Sequence, residues 1–327
     1  MKRVVVTGLG NISPLGNGAH ELWENIKNGK HGFNYITRFD TSSFPVKIAA
    51  EVKGFQPTDF MEKKLVKRYD LFTQFAVAAS IQAFNDCGIN IEKIDPYRFG
   101  VFFGSGIGGL TTKEEQIIKM HERGPHRVSP LFIPTAIINM AAGNIAIHLG
   151  AKGSSTAAVT ACATGTNNIG DAYRSIKYGH HDIIITGGSE AAINKIGIAG
   201  FTSIMALSHA DDLNRASIPF DKGRNGFVMG EGAGAIALEE LNHALNRGAK
   251  IYAEICGYGS TCDAYHMTAP MPDGEGAAKA MSMAIEEAGI EKTDISYINS
   301  HGTSTQLNDL AETNAVKKAF GGYAYSL

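Results

Sequence analysis

Short runs of β-branched and aromatic residues alternate with segments of helical periodicity along this sequence, and this alternation limits the possible fold more than any other feature. Buried strands are predicted for the runs "KRVVVTG", "RFGVFFG", "DIIITGG", "GAGAIALEEL" and "ISYINS". Helices are predicted for "AHELWENIKNG", residues 58–86, "GEGAAKAMSMAIEEAG", which ends at Gly289, and "NDLAETNAVKKAFG". This order of strands and helices is typical of an α/β fold.

The chain is long enough and apolar enough to bury a substantial core, because it has 327 residues, of which 44% are hydrophobic and 19% are charged. Its 38 glycines indicate tight turns and close backbone contacts rather than disorder. A formal net charge of -2 argues against general nucleic-acid binding. The start, "MKRVVVTGLG", has too few apolar residues for a signal peptide or a membrane span. We therefore expect a soluble cytoplasmic protein without nucleic-acid or membrane partners.

One long stretch of the sequence carries almost no charge, since Lys152 is the only Asp, Glu, Lys or Arg among residues 128–170. So few charges are unusual for a solvated surface, and Pro130 and Pro134 make the stretch unlike a membrane helix. We predict that it is buried, either as a layer of the core or as a core layer that continues into a subunit interface.

The four cysteines occur singly, with no C-x-x-C pair that would predict a zinc site or a disulfide framework. Cys87 lies where a helix is predicted to end, and Cys256 lies in the strand-like "IYAEICGYG". Both are interpreted as packing residues, because free cysteine is among the most buried residue types. Cys262, beside Asp263, has no clear interpretation.

Cys162 is the cysteine whose surroundings favour a catalytic role. It follows the strand-like "TAAVTA" and precedes a helical pattern, so it is predicted at a helix N-terminus among small residues such as Ala161 and Ala163. Backbone N–H groups and the helix dipole stabilise a thiolate there and increase its nucleophilic fraction. A lone cysteine is a weak indicator, however, and the pattern leaves two interpretations open, a catalytic thiol and a small buried cysteine.

Two glycine-rich motifs suggest other classes of enzyme. The segment "GSGIGG" at residues 104–109 satisfies G-x-G-x-x-G between a predicted strand and a helix, which is the pattern of a nucleotide-dependent oxidoreductase. No Asp or Glu closes a second strand about twenty residues later, as ribose binding requires. The segment "GGSEA" around Ser189 lacks the final glycine of the G-x-S-x-G turn of serine hydrolases. An oxidoreductase is therefore the weaker alternative, and a serine hydrolase has little support.

Several motifs together resemble one family. Polar residues crowd the segment "NSHGTSTQLND", in which His301 follows a predicted strand. This segment, together with "TACATG" around Cys162, "GSGIGG", "PFDKGRNGFVMGEGAG" and "DAYHMTAP", resembles the β-ketoacyl-[acyl-carrier-protein] synthases of the type II fatty-acid pathway, KAS II group. The likeness spans the whole sequence.

The resemblance implies an α/β, thiolase-like fold of two related layered halves. Residues 1–250 would form the N-terminal half, which carries the nucleophilic cysteine. Residues 251–327 would form the start of a C-terminal half that is incomplete in this chain. The family also implies a homodimer, acyl carrier protein as the partner that delivers acyl and malonyl groups, and no cofactor or metal.

The chemistry of the family implies a role for the two central motif residues. Cys162 matches the nucleophile whose thiolate attacks an acyl thioester while its backbone N–H helps to hold the oxyanion. His301 matches the first of two histidines that stabilise the enolate formed when malonyl-acyl carrier protein loses carbon dioxide. The enolate attacks the acyl group to give a longer 3-oxoacyl chain. The implied function is therefore fatty-acid elongation by an acyltransferase.

Further positions match substrate-binding and supporting residues of the family. Thr303 and Thr305 match threonines that hydrogen-bond a phosphopantetheine arm. Ile107 matches the floor of the acyl pocket, and Thr268 in "DAYHMTAP" matches another substrate-binding position. Glu312 matches an acidic residue expected to pair with a buried lysine. Ordinary structural interpretations stay open as well, since loop threonines satisfy backbone groups, isoleucines fill cores and helical glutamates are usually solvated.

The segment "EKKLVKR" at residues 62–68 holds four basic residues in a short helical stretch. On its own it is interpreted as a solvated helix face. In the family, however, Lys64, Lys67 and Arg68 match the patch on which the strongly acidic acyl carrier protein docks. Met205 stands where some relatives carry a basic residue, so we expect a smaller patch than usual.

The family implies three features that would follow the final "KKAFGGYAYSL", namely a lysine, a second histidine and a glycine-rich loop. If Leu327 is the natural end of the chain, an alternative function follows, that of a truncated, condensation-deficient remnant that binds or holds acyl groups. Cys162 would then be acylated slowly, and little carbon–carbon bond would form from malonyl-acyl carrier protein.

Overall fold

A mixed β-sheet dominates the computed structural model, which describes residues 1–327. The strands along the chain are β1 (Val4–Ile12), β2 (Asn34–Tyr35), β3 (Ile48–Ala49), β4 (Phe99–Gly104), β5 (Ser155–Thr156), β6 (Ile183–Glu190), β7 (Gly232–Glu240) and β8 (Ala253–Ile255). All but β2 and β3 form one six-stranded sheet in the order β5, β4, β6, β7, β1, β8. β5, β4 and β6 run parallel, whereas β7 runs antiparallel to β6 and β1, and β8 runs antiparallel to β1.

The chain has eleven α-helices, of which the first nine lie between strands along the chain and the last two follow β8. They are α1 (Ala19–Lys27), α2 (Lys63–Val66), α3 (Leu71–Cys87), α4 (Leu110–Arg123), α5 (Phe132–Ala136), α6 (Met140–Leu149), α7 (Thr164–Lys177), α8 (Lys195–Ser203), α9 (Leu241–Asn246), α10 (Glu275–Ala288) and α11 (Gln306–Phe320). The crossover from β4 to the parallel β6 contains α4 to α7, so the helix that follows Cys162 is part of it.

Different helices cover the two faces of the sheet, and β4 shows this residue by residue. Phe99 and Phe103 belong to a buried cluster that includes Phe72 of α3. Gly104 points to the opposite face, where a Cβ on it would lie 2.6 Å from Cγ2 of Thr164 at the start of α7. Because helices cover both faces, the strands are continuous apolar runs in the sequence.

Most predicted elements are confirmed, including β1, β4, β6, β7, α1, α10 and α11. The single long helix predicted over residues 58–86 is wrong, because the structure has a 3-10 turn at Pro57–Asp59, followed by α2 and α3. Asp70 separates the two helices. Its backbone is extended, and its carboxylate caps α3 by accepting a hydrogen bond from the Phe72 N–H at 3.3 Å.

The strand predicted at "ISYINS" is also wrong. Residues 295–300 form no ladder with a neighbouring strand, and Tyr297 is 74% exposed. The apolar alternation of the sequence is real, but a strand needs partners for its backbone N–H and C=O groups. A local pattern cannot show whether such a partner is present.

The prediction that residues 128–170 are buried holds only in part. Ala141, Ala142 and Ile145 on α6 are buried. Several large apolar side chains of the stretch are exposed on this chain, namely Leu131, Ile133, Ile137, Ile147 and Val159. The lack of charge therefore does not place the whole stretch in the core of one chain, and the interface interpretation stays a prediction.

The cysteines differ from one another in burial. Cys87 is buried at the end of α3, as predicted, and burial raises the pKa of its thiol to about 11. Cys256 is predicted to be a packing residue in a strand, but it is exposed. It lies just outside β8, which ends at Ile255. Cys162 and Cys262 are exposed as well.

The chain divides into two compact units that are not continuous in sequence. Unit 1 consists of residues 1–39, 49–198 and 229–255 and contains the six-stranded sheet. Unit 2 consists of residues 40–48, 199–228 and 256–327 and contains α10 and α11. The predicted halves, 1–250 and 251–327, stay a prediction.

None of the helices has the length and apolar character needed to cross a membrane. The cytoplasmic location stays a prediction.

Candidate active site

Cys162 lies where the chain passes from β5 into α7. It is the central residue of a 3-10 turn, Ala161–Ala163, and α7 begins directly after that turn. The predicted helix N-terminus is therefore confirmed. The side chain is exposed, so the interpretation as a small buried cysteine is wrong. An accessible thiol beside the first N–H groups of a helix has the surroundings of a nucleophile.

The backbone of the Cys162 turn is strained, and hydrogen bonds hold it in place. Ala161 has a φ of 51°, a left-handed conformation that is costly for a residue with a side chain. The Thr160 N–H donates to Oγ1 of Thr164 at 2.9 Å, and the Ala163 N–H donates to the Thr160 carbonyl at 3.1 Å. Strained residues that their surroundings hold in place are concentrated at functional sites.

Glycines let α7 approach the sheet closely. A Cβ on Gly104 would lie 2.6 Å from Cγ2 of Thr164 and 2.7 Å from Nδ2 of Asn168, and one on Gly188 would lie 3.3 Å from Cα of Gly165. The motifs "GSGIGG" and "GGSEA" therefore supply room for α7 against β4 and β6. Sequence reasoning missed this role, because it weighed both motifs only as signals of other enzyme classes.

The loop after β4 carries Ile107 and packs against the Cys162 turn. A Cβ on Gly106 would lie 3.3 Å from the carbonyl oxygen of Ala161, so the loop touches the turn. The Ile107 N–H donates to Oε2 of Glu190, at the end of β6, at 3.1 Å. This loop N–H, which a bound pyrophosphate would need as a donor, therefore already donates to a carboxylate. That arrangement argues against the function of a nucleotide-dependent oxidoreductase.

His301 begins a loop of unit 2 that one carboxylate holds in place. The backbone N–H groups of His301 and Gly302 donate to the two carboxylate oxygens of Glu312 on α11, at 2.6 and 2.9 Å. His301 itself is exposed. The resemblance predicts a lysine partner for Glu312. In this structure its carboxylate accepts charge-assisted hydrogen bonds from the loop backbone and fixes the direction of the loop.

Thr303 and Thr305 flank a strained, buried residue. Ser304 is 0% exposed and has a φ of 66°. The hydroxyl oxygens of Thr303 and Thr305 lie 2.8 Å apart, and Oγ1 of Thr305 accepts a hydrogen bond from the Asn308 N–H at the start of α11. Both threonines are half-buried and make hydrogen bonds within the loop, and their substrate-binding role stays a prediction.

Sequence reasoning missed Asp309 and Arg224, which connect the His301 loop to residues 218–227 through hydrogen bonds and an ion pair. Asp309 is 1% exposed, and its Oδ2 accepts a hydrogen bond from the Phe220 N–H at 2.8 Å. The same oxygen pairs with Nε of Arg224 at 3.3 Å. An acidic residue in the first turn of a helix and an arginine in "PFDKGRNGF" are visible in the sequence. Their pairing is not, because they lie far apart along the chain.

Thr268 and the basic residues belong to two further segments of the chain. Thr268 is exposed in a loop of unit 2, where its N–H donates to Nδ1 of His266 at 3.1 Å. Lys64, Lys67 and Arg68 lie on or directly after α2 in unit 1, and all three are exposed. A cavity of about 590 Å³ opens beside Arg68, with a mainly apolar lining.

The structure thus brings the predicted residues together in separate groups. In unit 1 the loop of Ile107 touches the Cys162 turn. In unit 2 one loop and the start of α11 hold the remaining group, which is His301, Thr303, Thr305 and Glu312. No group of three or more His, Cys, Asp or Glu residues is arranged to hold a metal ion.

Family models and relatives of known name match this chain over its whole length. The model for the β-ketoacyl synthase N-terminal domain matches residues 1–244, and the model for the β-ketoacyl synthase C-terminal domain matches residues 252–327. The chain is 51% identical to 3-oxoacyl-[acyl-carrier-protein] synthase 2 of Synechocystis sp., covering 100% of this chain and 79% of that protein. It is 50% identical to the protein of the same name from Staphylococcus aureus, with the same coverage.

Solved structures share the fold. A β-ketoacyl synthase from Burkholderia phymatum superposes with a TM-score of 0.90 at 34% identity, covering 98% of this chain and 79% of that one. A type II PKS acyl-carrier protein in complex with its ketosynthase gives a TM-score of 0.88 at 33% identity, covering 100% and 79%. These similarities confirm the thiolase-like α/β fold that the sequence predicted.

Proposed function

Because this chain belongs to the β-ketoacyl synthase family, we propose that it elongates fatty acids as an acyltransferase, a 3-oxoacyl-[acyl-carrier-protein] synthase of the KAS II type. It condenses an acyl group with malonyl-acyl carrier protein, with loss of carbon dioxide, to give 3-oxoacyl-acyl carrier protein. The observation that carries the proposal is the exposed Cys162 thiol on a strained turn at the N-terminus of α7.

In the first half-reaction the Cys162 thiolate attacks the carbonyl carbon of the acyl thioester. A carbon–sulfur bond forms to Cys162, the bond to the sulfur of the carrier breaks, and the carrier leaves as a thiol after it takes up a proton. The Cys162 backbone N–H, next to α7, donates to the oxyanion of the tetrahedral intermediate. Ile107, on the loop that touches this turn, forms the floor of the pocket for the acyl chain.

In the second half-reaction malonyl-acyl carrier protein loses carbon dioxide, and the enolate that remains attacks the acyl carbon. The bond from that carbon to Cys162 breaks, which regenerates the thiolate. His301 donates a hydrogen bond to the thioester oxygen on which the enolate charge develops. Glu312 supports His301, because it holds the backbone N–H groups of His301 and Gly302.

Acyl carrier protein delivers both substrates in this proposal. Its strongly acidic surface docks on the exposed Lys64, Lys67 and Arg68, because opposite charges speed the encounter of two proteins. Thr303 and Thr305 bind its phosphopantetheine arm, and Thr268 contributes to substrate binding. A solved ketosynthase with the same fold, in complex with its acyl-carrier protein, supports this partner.

The protein acts as a homodimer in this proposal. β5 is an edge strand that pairs only with β4, so the backbone groups on its other side are available to a second copy. The exposed apolar residues lie in the same segment of the sequence, namely Leu131, Ile133, Ile137, Ile147 and Val159. An open sheet edge together with exposed apolar side chains favours self-association.

A product assay tests the reaction. The purified protein is mixed with acyl-acyl carrier protein and malonyl-acyl carrier protein, and 3-oxoacyl-acyl carrier protein is identified by mass. We expect product from the wild type and none from Cys162→Ala, whose folding is verified by thermal unfolding. Acylation of Cys162 with no 3-oxoacyl product would contradict the proposal and favour the alternative, a chain that holds acyl groups without condensing them.

A further inference from the structure

Glu190 is a largely buried carboxylate that neither half-reaction uses. It lies at the end of β6, and burial raises the pKa of its carboxyl group. The groups that donate hydrogen bonds to it are neutral and belong mainly to the loop after β4. A largely buried carboxylate whose hydrogen-bond donors are neutral is costly to bury and calls for an explanation.

The carboxylate of Glu190 fixes several residues of that loop. The Ser105 hydroxyl donates to Oε1 at 3.1 Å, and the Ile107 N–H donates to Oε2 at 3.1 Å. Oγ of Ser105 in turn accepts a hydrogen bond from the Gly108 N–H at 2.9 Å. Glu190 therefore holds the backbone before and after Ile107, and Lys113 adds a hydrogen bond from its Nζ to the Ile107 carbonyl at 3.4 Å.

The same loop contacts both Glu190 and the Cys162 turn at Gly106. A Cβ on Gly106 would lie 3.1 Å from Oε2 of Glu190 and 3.3 Å from the carbonyl oxygen of Ala161. Both groups therefore lie at the edge of the space that a side chain at position 106 would fill. Since Ile107 follows directly, its distance from the Cys162 turn depends on where Glu190 holds the loop.

We propose that Glu190 is a positioning residue that selects the length of the acyl chain. By fixing residues 105–108 it holds Ile107 at one place beside the Cys162 turn, and this place sets how long an acyl group the thiol can accept. The inference rests on the proposed function, because it takes Ile107 as the floor of the acyl pocket. Glu190 acts through Ile107 and does not contact the reacting atoms.

Two variants of Glu190 separate its geometry from its charge. Glu190→Ala removes both acceptors, which leaves the Ile107 N–H without its partner and the loop free to move. Glu190→Gln keeps the shape, because its amide oxygen can accept from Ile107 and its amide nitrogen can donate to Ser105. We therefore expect altered selectivity for acyl-chain length in the Ala variant and wild-type selectivity in the Gln variant.

Alkyl methanethiosulfonates measure the pocket without any acyl transfer. The Cys162 thiolate attacks the sulfenyl sulfur, a mixed disulfide forms and methanesulfinate leaves, so labelling needs only a reactive thiol and room for the alkyl chain. Peptide mass spectrometry follows Cys162 separately from the exposed Cys256 and Cys262. In Glu190→Ala the ratio of the decyl to the methyl labelling rate should change roughly tenfold, with the methyl rate unchanged.

Acyl transfer should distinguish the two Glu190 variants in the same way as labelling does. The ratio of kcat/KM for long over short acyl-acyl carrier proteins should change in Glu190→Ala, while Glu190→Gln restores the wild-type ratio. If the wild type transfers no acyl group but its labelling ratio responds to Glu190→Ala as expected, the proposed function is wrong and the positioning role stands.

Two results would overturn the inference. One is an unchanged labelling ratio in folded Glu190→Ala protein. The other is a Gln variant as altered as the Ala variant, because negative charge rather than hydrogen-bond geometry would then matter. If Glu190→Ala does not fold, Ser105→Ala removes one donor of the same network and should change the ratio in the same direction, by about threefold. A folded Ser105→Ala protein with the wild-type ratio would contradict the inference equally.

Discussion

The turn that carries Cys162 and the loop that carries His301 are both strained, but different interactions hold them. Each contains a non-glycine residue with positive φ, Ala161 at 51° and Ser304 at 66°. The Cys162 turn leads into a helix that packs on the sheet through glycines, with main chain against main chain. The His301 loop is held chiefly by side chains, because carboxylates on α11 accept hydrogen bonds from its backbone.

This difference indicates which substitutions damage the fold and which damage a single step. Close backbone packing is shared with the whole core of unit 1, so a larger residue there should destabilise the protein. A carboxylate that holds one loop acts locally, so its loss should weaken the reaction served by that loop and leave the fold intact.

Gly104→Ala should have the largest effect. The new Cβ would lie 2.3 Å from the carbonyl oxygen of Ala158 and 2.6 Å from the side chain of Thr164, so β4 and α7 would have to separate. We expect the free energy of unfolding to fall by about 3 kcal/mol, as measured by denaturant unfolding.

Gly200→Ala is the matched control. Gly200 is exposed within α8, and no atom outside its own stretch of helix lies within 4 Å of the position that its Cβ would take. Alanine is the better helix former, so this variant should be more stable by roughly 0.5–1 kcal/mol. Equal stability of the two variants would contradict the account of the Cys162 turn.

Glu312→Gln should impair condensation and spare acylation. One of the two backbone N–H groups at His301 and Gly302 loses a charged acceptor, which costs about 1.5 kcal/mol and corresponds to a roughly tenfold slower condensation step. Single-turnover assays of each half-reaction measure the two rates separately. Glu286→Gln, at an exposed position on α10, is the control and should match the wild type. A parallel loss of acylation in Glu312→Gln would mean that the loop also serves the first step.

Reversal of the basic patch should have the smallest effect, because charges at a rim act mainly on the rate of encounter. Lys67→Glu combined with Arg68→Glu should slow acyl transfer from acyl carrier protein roughly fivefold at low salt, less at high salt, and not at all with a small thioester. Lys279→Glu with Lys292→Glu changes the net charge equally at exposed positions in unit 2 and should leave the rate near that of the wild type. Equal losses with carrier and small substrates would indicate a folding defect.

The sequence predicted the fold class and the place of Cys162 because both depend on local patterns. Apolar runs predicted β1, β4, β6 and β7, and small residues before a helical pattern predicted the N-terminus of α7. The failures have a common physical cause. A strand at "ISYINS" and burial of residues 128–170 depend on whether a partner surface is present, which a local pattern cannot show.

The supporting interactions of the site could not be predicted for a related reason. Glu190 meets the loop of Ile107, and Asp309 meets Arg224, only because the fold brings distant segments together. Composition gives no sign of either pair. The glycines of "GSGIGG" were visible, but their close contact with α7 depends on a helix that lies later in the chain.

Acylation of the protein by its carrier should take place on the Cys162 turn and nowhere else. The protein is mixed with acyl-acyl carrier protein alone, and the acylated peptide is identified by mass spectrometry. We predict one acyl group on Cys162, none on Cys87, Cys256 or Cys262, and none on the Cys162→Ala protein. An acyl group on another residue, or undiminished acylation of a folded Cys162→Ala protein, would contradict this prediction.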